Sequence, residues 1–261
     1  MGARLVSAWP PQMPRSIREI LPLRPDFSPF LVHLTRGDGD TPGERRDQAR
    51  RNLRRILSAG IIRARHAHGI LTRRFTEFRR QVPAQYLQAV CLTDTPPEAL
   101  PTLIGDILGR RDRLDNYGLV FSKRFILERG GSPVVYLATQ AGNALADALF
   151  SLLCTRLERR TALRRDVAPL LPLIETFGPG YFNPNRLVDF HWEREWRVSR
   201  NLVFRRRDVL LGLCDERDIS PMERQFRPLR FIDPCSNPAN WGQKIERARA
   251  VGWEQYLEPF P

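Results

Sequence analysis

The stretch Asp189-Phe190-His191-Trp192-Glu193-Arg194-Glu195-Trp196-Arg197-Val198 decides how this chain is read. As a β-strand, its side chains alternate between two faces. Phe190, Trp192, Arg194, Trp196 and Val198 then share one side, suited to a core. His191, Glu193, Glu195 and Arg197 share the other. Two like charges at i and i+2 on one strand face repel, so folding alone gives little reason for that carboxylate pair. A half-exposed antiparallel strand with a solvated polar face fits the same pattern. The flanking tryptophans favour a functional reading, because apolar walls raise a carboxylate's proton affinity.

The 261 residues suffice for one large domain or two small ones, and 42% hydrophobic content with 14 Phe and 5 Trp allows a sizeable core. No apolar run approaches a membrane span, and the N-terminus lacks the apolar centre of a signal peptide. Cys91, Cys154, Cys214 and Cys235 are scattered without metal-like spacing, so no metal site is expected. These features predict a reduced, cytoplasmic protein with no membrane partner. The net charge of +13 invites a nucleic-acid partner. Of 42 Lys+Arg, however, only Lys123 and Lys244 are lysine. With 22 Pro and much Ala and Leu, this looks like a composition-wide bias that weakens charge as a functional signal.

Taken in order, residues 1–28 read as a Pro-rich arm and residues 29–261 as a single α+β domain. Phe30–Arg36 is expected as a strand ending in the turn-rich loop Gly37–Gly43. Glu44–Ala59 has helical spacing, with Gly60 placed as its C-cap. Arg63–Arg80 mixes Arg with Phe75 and Phe78, as a basic helix or loop. Further strands are expected at Ala89–Thr93, Tyr117–Phe121, Pro133–Leu137 and Leu229–Ile232. Helices are expected at Pro101–Arg110, Ala144–Arg159, Asp166–Thr176 and Gln243–Val251. In the second of these, Leu145, Ala148, Leu149, Leu152 and Leu153 form a stripe that reads as core. Phe177–Pro184 reads as a loop, and Leu202–Phe204 as a hairpin partner of the Asp189 strand. The order implies a mainly antiparallel split sheet flanked by helices. No dinucleotide-binding or P-loop glycine pattern occurs.

Four pieces, in this order, resemble the AbiGi family of abortive phage-infection proteins. They are Val32–Arg36, Asn52–Ile61, Cys91–Pro96 with Tyr117–Phe121, and Asp189–Val198. The same skeleton is more distantly similar to DarT-like ADP-ribosyltransferases, through His33, Asn52, Gly60 and a late-strand Glu. Glu193-Arg194-Glu195 also resembles the E-x-E pair of arginine-type transferases. Thr93, Thr95 and Tyr117 stand only approximately at the middle motif. The resemblance implies an ADP-ribosyltransferase-like fold and an anti-phage protein that cleaves NAD and transfers ADP-ribose to a macromolecule, nucleic acid being one candidate acceptor. Its alternative implication is a non-catalytic antitoxin or interaction protein, bound to a toxin or antitoxin partner.

The NAD reading needs a fixed carboxylate to steady an oxocarbenium-like ribose. Glu195 is favoured for that role. Glu193, roughly 6–7 Å along the same strand face, would take the acceptor's proton. His33 and Thr35 would hold the adenosine ribose, Arg36 the pyrophosphate, and Tyr117 would stack on nicotinamide; Asn52 and Thr93 complete the expected NAD site. All of this requires His33 and Glu195 to face one shared cleft.

Overall fold

The local signals of the chain set most of its element boundaries. Ser16 and Glu19 form a reciprocal capping box that starts α1 (Ile17–Ile20). Thr41 and Glu44 do the same for α2 (Pro42–Ala59), with Pro42 in the first turn; Gly60, at φ +62°, ends it. The computed structural model describes residues 16–66, 87–107, 113–138, 143–158, 168–180 and 183–258. Along these run the strands β1 (Phe30–Arg36), β2 (Ile61–Ile62), β3 (Arg65–His66), β4 (Gln88–Thr93) and β5 (Leu114–Ser122). The helix α3 (Lys123–Glu128), β6 (Ser132–Pro133), β7 (Val135–Ala138) and α4 (Ala144–Glu158) follow. Then come β8 (Ile174–Gly180), β9 (Asn183–Val188), β10 (Glu195–Val198), β11 (Leu202–Val203) and β12 (Val209–Leu213). The chain closes with α5 (Ile219–Gln225), β13 (Phe231–Ile232) and α6 (Gly242–Leu257).

The main sheet has the strand order β13, β12, β5, β1, β4, β10, β6, with β3 also on β4. Its pairs are antiparallel except β12 with β13. The fold is therefore α+β, with a mostly antiparallel open sheet and helices on its faces. Alternation divides the sheet's side chains. Leu31, Leu119 and Phe121 pack with Ala49, Leu53 and Leu57 of α2. Phe30, Val32, Leu34, Val120, Leu211 and Leu213 pack with Trp241, Ile245 and Ala248 of the C-terminal segment, and with Leu100 and Leu103 of a 3-10 turn. A smaller sheet, β7 beside β8 beside β9, stands apart in the pairing. Among the described residues no helix is long and apolar enough to cross a membrane.

Several elements differ from the sequence reading. The expected helix over 166–176 is a 3-10 turn, Ala168–Leu173, running into β8. Pro169 and Pro172 remove amide donors that an α-helix there would need. The expected loop at 177–184 is mostly β8 and β9. Pro101–Arg110 gives only the 3-10 turn Pro97–Leu103, with 108–110 outside the described residues. Leu202 and Val203 pair with Ile62 and Ile61, not with β10. Leu145 and Leu152 of the α4 stripe are not core, at 64% and 45% exposed, and Leu149 is half-buried; the side chain of Leu153 lies outside the described residues. The basic, aromatic stretch after His66, up to residue 80, and arm residues 1–15 lie outside the described residues.

Candidate functional site

The Asp189–Val198 stretch is not one strand. His191–Glu193 form a 3-10 turn, Arg194 adopts the left-handed conformation at φ 49°, and β10 starts only at Glu195. Arg194 is the one non-glycine with positive φ among the described residues. That reversal breaks the alternation, so Glu193 and Glu195 do not share a strand face as the sequence suggested. What holds Arg194 there is tertiary. Its carbonyl accepts from the Asp94 amide at 3.0 Å, its Nη1 donates to the Asp26 carbonyl at 2.6 Å, and its Nη2 lies 3.5 Å from Asp94 Oδ2.

Within β10, Glu195 lies opposite Thr93 and Arg197 opposite Cys91. Trp196 packs toward the α2 face, so Glu195 and Arg197 project from the other. Arg197 is fully buried, and its guanidinium sits 2.6 Å from Glu195 Oε2 and 3.3 Å from Glu175 Oε2. It also donates to the Pro172 carbonyl at 2.8 Å. Burial works against its charge, but Glu195 and Glu175 beside it hold the guanidinium firmly protonated. Burial, reinforced by Glu195, pushes the Cys91 thiol up. The Tyr136 hydroxyl donates to the Phe190 carbonyl at 3.1 Å, and burial raises its pKa, with Glu195 adding to the shift. Glu195 is thus committed to a buried ionic network.

His33 stands behind the sheet. On β1 it shares a face with Leu31 and Thr35, both of which meet the α2 side. Its Nδ1 bonds the Cys91 carbonyl at 2.9 Å, while the thiol of the same Cys91 interacts with Glu195 and Arg197. Strand β4 therefore separates the two groups, and the expected His33–Glu195 cleft does not form. Burial lowers the His33 pKa.

Of the other residues of the expected site, Thr35 and Asn52 brace α2 against the sheet. Thr35 Oγ1 lies 3.1 Å from the Ala49 carbonyl and 3.0 Å from that of Tyr117. Asn52 donates to the Arg36 carbonyl at 2.9 Å, at the end of β1. Tyr117 is fully buried and donates to Asp218 Oδ2 at 2.5 Å, so its ring cannot stack on a nicotinamide. Thr93 alone joins the two glutamates: it lies opposite Glu195 and donates to the Glu193 carbonyl at 2.6 Å.

Sequence reasoning missed Lys123. It opens α3, just after β5, buried, with Nζ 2.8 Å from Asp94 Oδ1 and 3.7 Å from the Phe27 ring centroid. Phe27 stacks on Trp253 of α6 at 5.8 Å. One signal was available. In a chain that uses Arg almost everywhere, a lysine marks a place where a compact ammonium fits and a guanidinium fork does not. The other lysine, Lys244, is equally committed, 2.7 Å from Glu223 and 2.9 Å from the Phe231 carbonyl.

A third feature surrounds the small sheet. Val135, Leu145, Leu152, Leu170 and Trp192 are all exposed. Val135 belongs to β7, α4 packs on β7, and the 3-10 turn carrying Leu170 packs on β8. The Trp192 turn reaches the same sheet through His191, whose ring meets those of Tyr136 and Phe177. Among the described residues, no group of His, Cys, Asp and Glu could hold a metal ion. No protein-family model, curated protein or solved structure matches this chain.

Proposed function

We propose that this chain is an interaction protein that holds an acidic protein partner, in the antitoxin-type role that the AbiGi resemblance implies. The observation that carries this reading is the set of exposed large apolar side chains gathered on the elements around the small sheet. Apolar side chains concentrated on one part of a surface mark a binding face. Even with its composition-wide origin, a net charge of +13 favours an acidic partner over a basic one. The carboxylate best suited to chemistry, Glu195, is meanwhile held by buried Arg197.

The test is co-expression with the protein encoded beside it, followed by sizing and titration. A stable complex is expected, lost in the Leu145→Glu/Leu152→Glu double variant and weakened by salt. A complex indifferent to those two substitutions would overturn the proposal.

A second reading rests on Thr93 and Glu195 lying side by side across β4 and β10. On an ADP-ribosyltransferase-like fold, such a carboxylate would act on NAD, with nucleic acid as acceptor. Release of nicotinamide from NAD that Glu195→Gln abolishes would establish it in place of the first.

A further inference from the structure

At the opposite functional extreme from the apolar face lies a polar cleft of about 390 Å³, at the end of the main sheet. The first turn of α2, the start of β5 and the segments after β12 and β13 enclose it. Its volume suits a small organic molecule. Most of its charges are spent internally. Asp106 pairs with Arg45 and Arg113. Asp233 accepts from the amides of Glu216 and Cys235.

Two unlike charges are only loosely met. Arg46 has one loose ion pair, Nη1 to Asp215 at 3.4 Å, and makes no hydrogen bond among the described residues; its Nε is buried without a partner. Asp115 accepts only the amide of its neighbour Asn116, at 2.8 Å, and pairs with no cation among the described residues. Burial raises the Asp115 pKa, which an approaching cation would reverse. Arg46 and Asp115 both line the cleft and act on each other through charge, but they are not joined by a close ion pair. Beside Asp115, Asn116 is only 6% exposed, and its Oδ1 has no hydrogen-bond partner. A buried polar atom left unpaired costs free energy that a ligand donor would recover.

We propose that this cleft binds a small zwitterion of the amino-acid class, its carboxylate on Arg46 and its ammonium on Asp115 and Asn116. A guanidinium takes a carboxylate in a forked, charge-assisted pair, and a carboxylate with an amide oxygen takes an ammonium's protons. A simple anion would leave Asp115 unmet, and a simple cation would leave Arg46 unmet. Ile104 and Leu114 supply an apolar wall for a side chain. The site is independent of the protein-binding face and survives its failure.

The test is calorimetric titration of the full chain with each free amino acid, and with its N-acetyl and amide forms. At least one free amino acid should bind, its blocked forms roughly tenfold or more weaker. Asp115→Asn and Arg46→Gln should each weaken binding by a similar factor. The exposed thiol of Cys235, which lines the cleft, should be protected from iodoacetamide by the same ligand. Absence of binding by every amino acid, equal binding of blocked forms, or wild-type affinity in either variant would overturn the proposal. If a variant fails to fold, protection of Cys235 in the unsubstituted protein, by free but not blocked amino acids, decides the matter.

Discussion

Lys123 Nζ lies 2.8 Å from Asp94 Oδ1, and the two groups are shut inside the protein by Phe27 from the N-terminal arm and by Tyr256 from α6. The contact is ionic, without hydrogen-bond alignment at that oxygen. Burial lowers the lysine's pKa and raises the aspartate's, so each charge is tolerated because of the other. The pair ties the ends of β4 and β5 to both termini of the described chain.

Removing one member should therefore cost more than removing both. Lys123→Met is expected to destabilise the protein by about 2–4 kcal/mol, because Asp94 is left charged and largely buried with only the longer contact to Arg194. Lys123→Met with Asp94→Asn should recover most of that loss. Urea denaturation of the wild type and the two variants measures it.

Arg197 presents the same logic with two anions. Arg197→Met leaves Glu175, fully buried, without its guanidinium, and should cost roughly 3–5 kcal/mol. Adding Glu175→Gln should restore part of it. A single variant as stable as the wild type would show that the network is not buried as described.

Arg194 tests the reversal that starts β10. Arg194→Gly and Arg194→Ala both lose the contacts to Asp26 and Asp94. Only alanine keeps a Cβ at φ 49°. The glycine variant should be more stable than the alanine variant by about 1 kcal/mol. Equal stabilities would place residue 194 in ordinary extended backbone.

His33 gives a pH dependence with a definite sign. Burial depresses its folded pKa below the ordinary 6.5. The folded state thus binds fewer protons than the unfolded state as pH falls. Its contribution to stability is complete above 6.5 and is lost as pH drops through the depressed value. His33→Asn retains a donor for the Cys91 carbonyl without titrating. Its stability relative to wild type should improve on going from about pH 7.5 to about 5, as read from thermal melts.

The elements that the sequence made legible are those with local causes. The strand at 30–36, the helix ended by Gly60 and the strand around Tyr117 follow from alternation and chain reversal, both short-range; the Thr41 cap and the first turn at Pro42 were read as loop. The 189–198 stretch was misread because nothing local marks Arg194 as left-handed. Arginine has no preference for that conformation, and its cause is Asp94, a hundred residues away. The α4 stripe misled for a related reason. Apolar spacing says that a face exists, and only the neighbouring elements say whether anything covers it.

By itself the chain determined the secondary-structure alphabet of its sheet, the Gly60 end of its main helix, its charge, and the residues worth asking about. Tertiary structure decided which of them meet. Alternation assigns a side chain to one of two faces relative to its own strand. Register between strands fixes which faces coincide, and β4, set between β1 and β10, carries His33 to one side and Glu195 to the other. A pattern of period two holds that relation within one strand and holds nothing about the next, because the offset between strands is set by long-range packing.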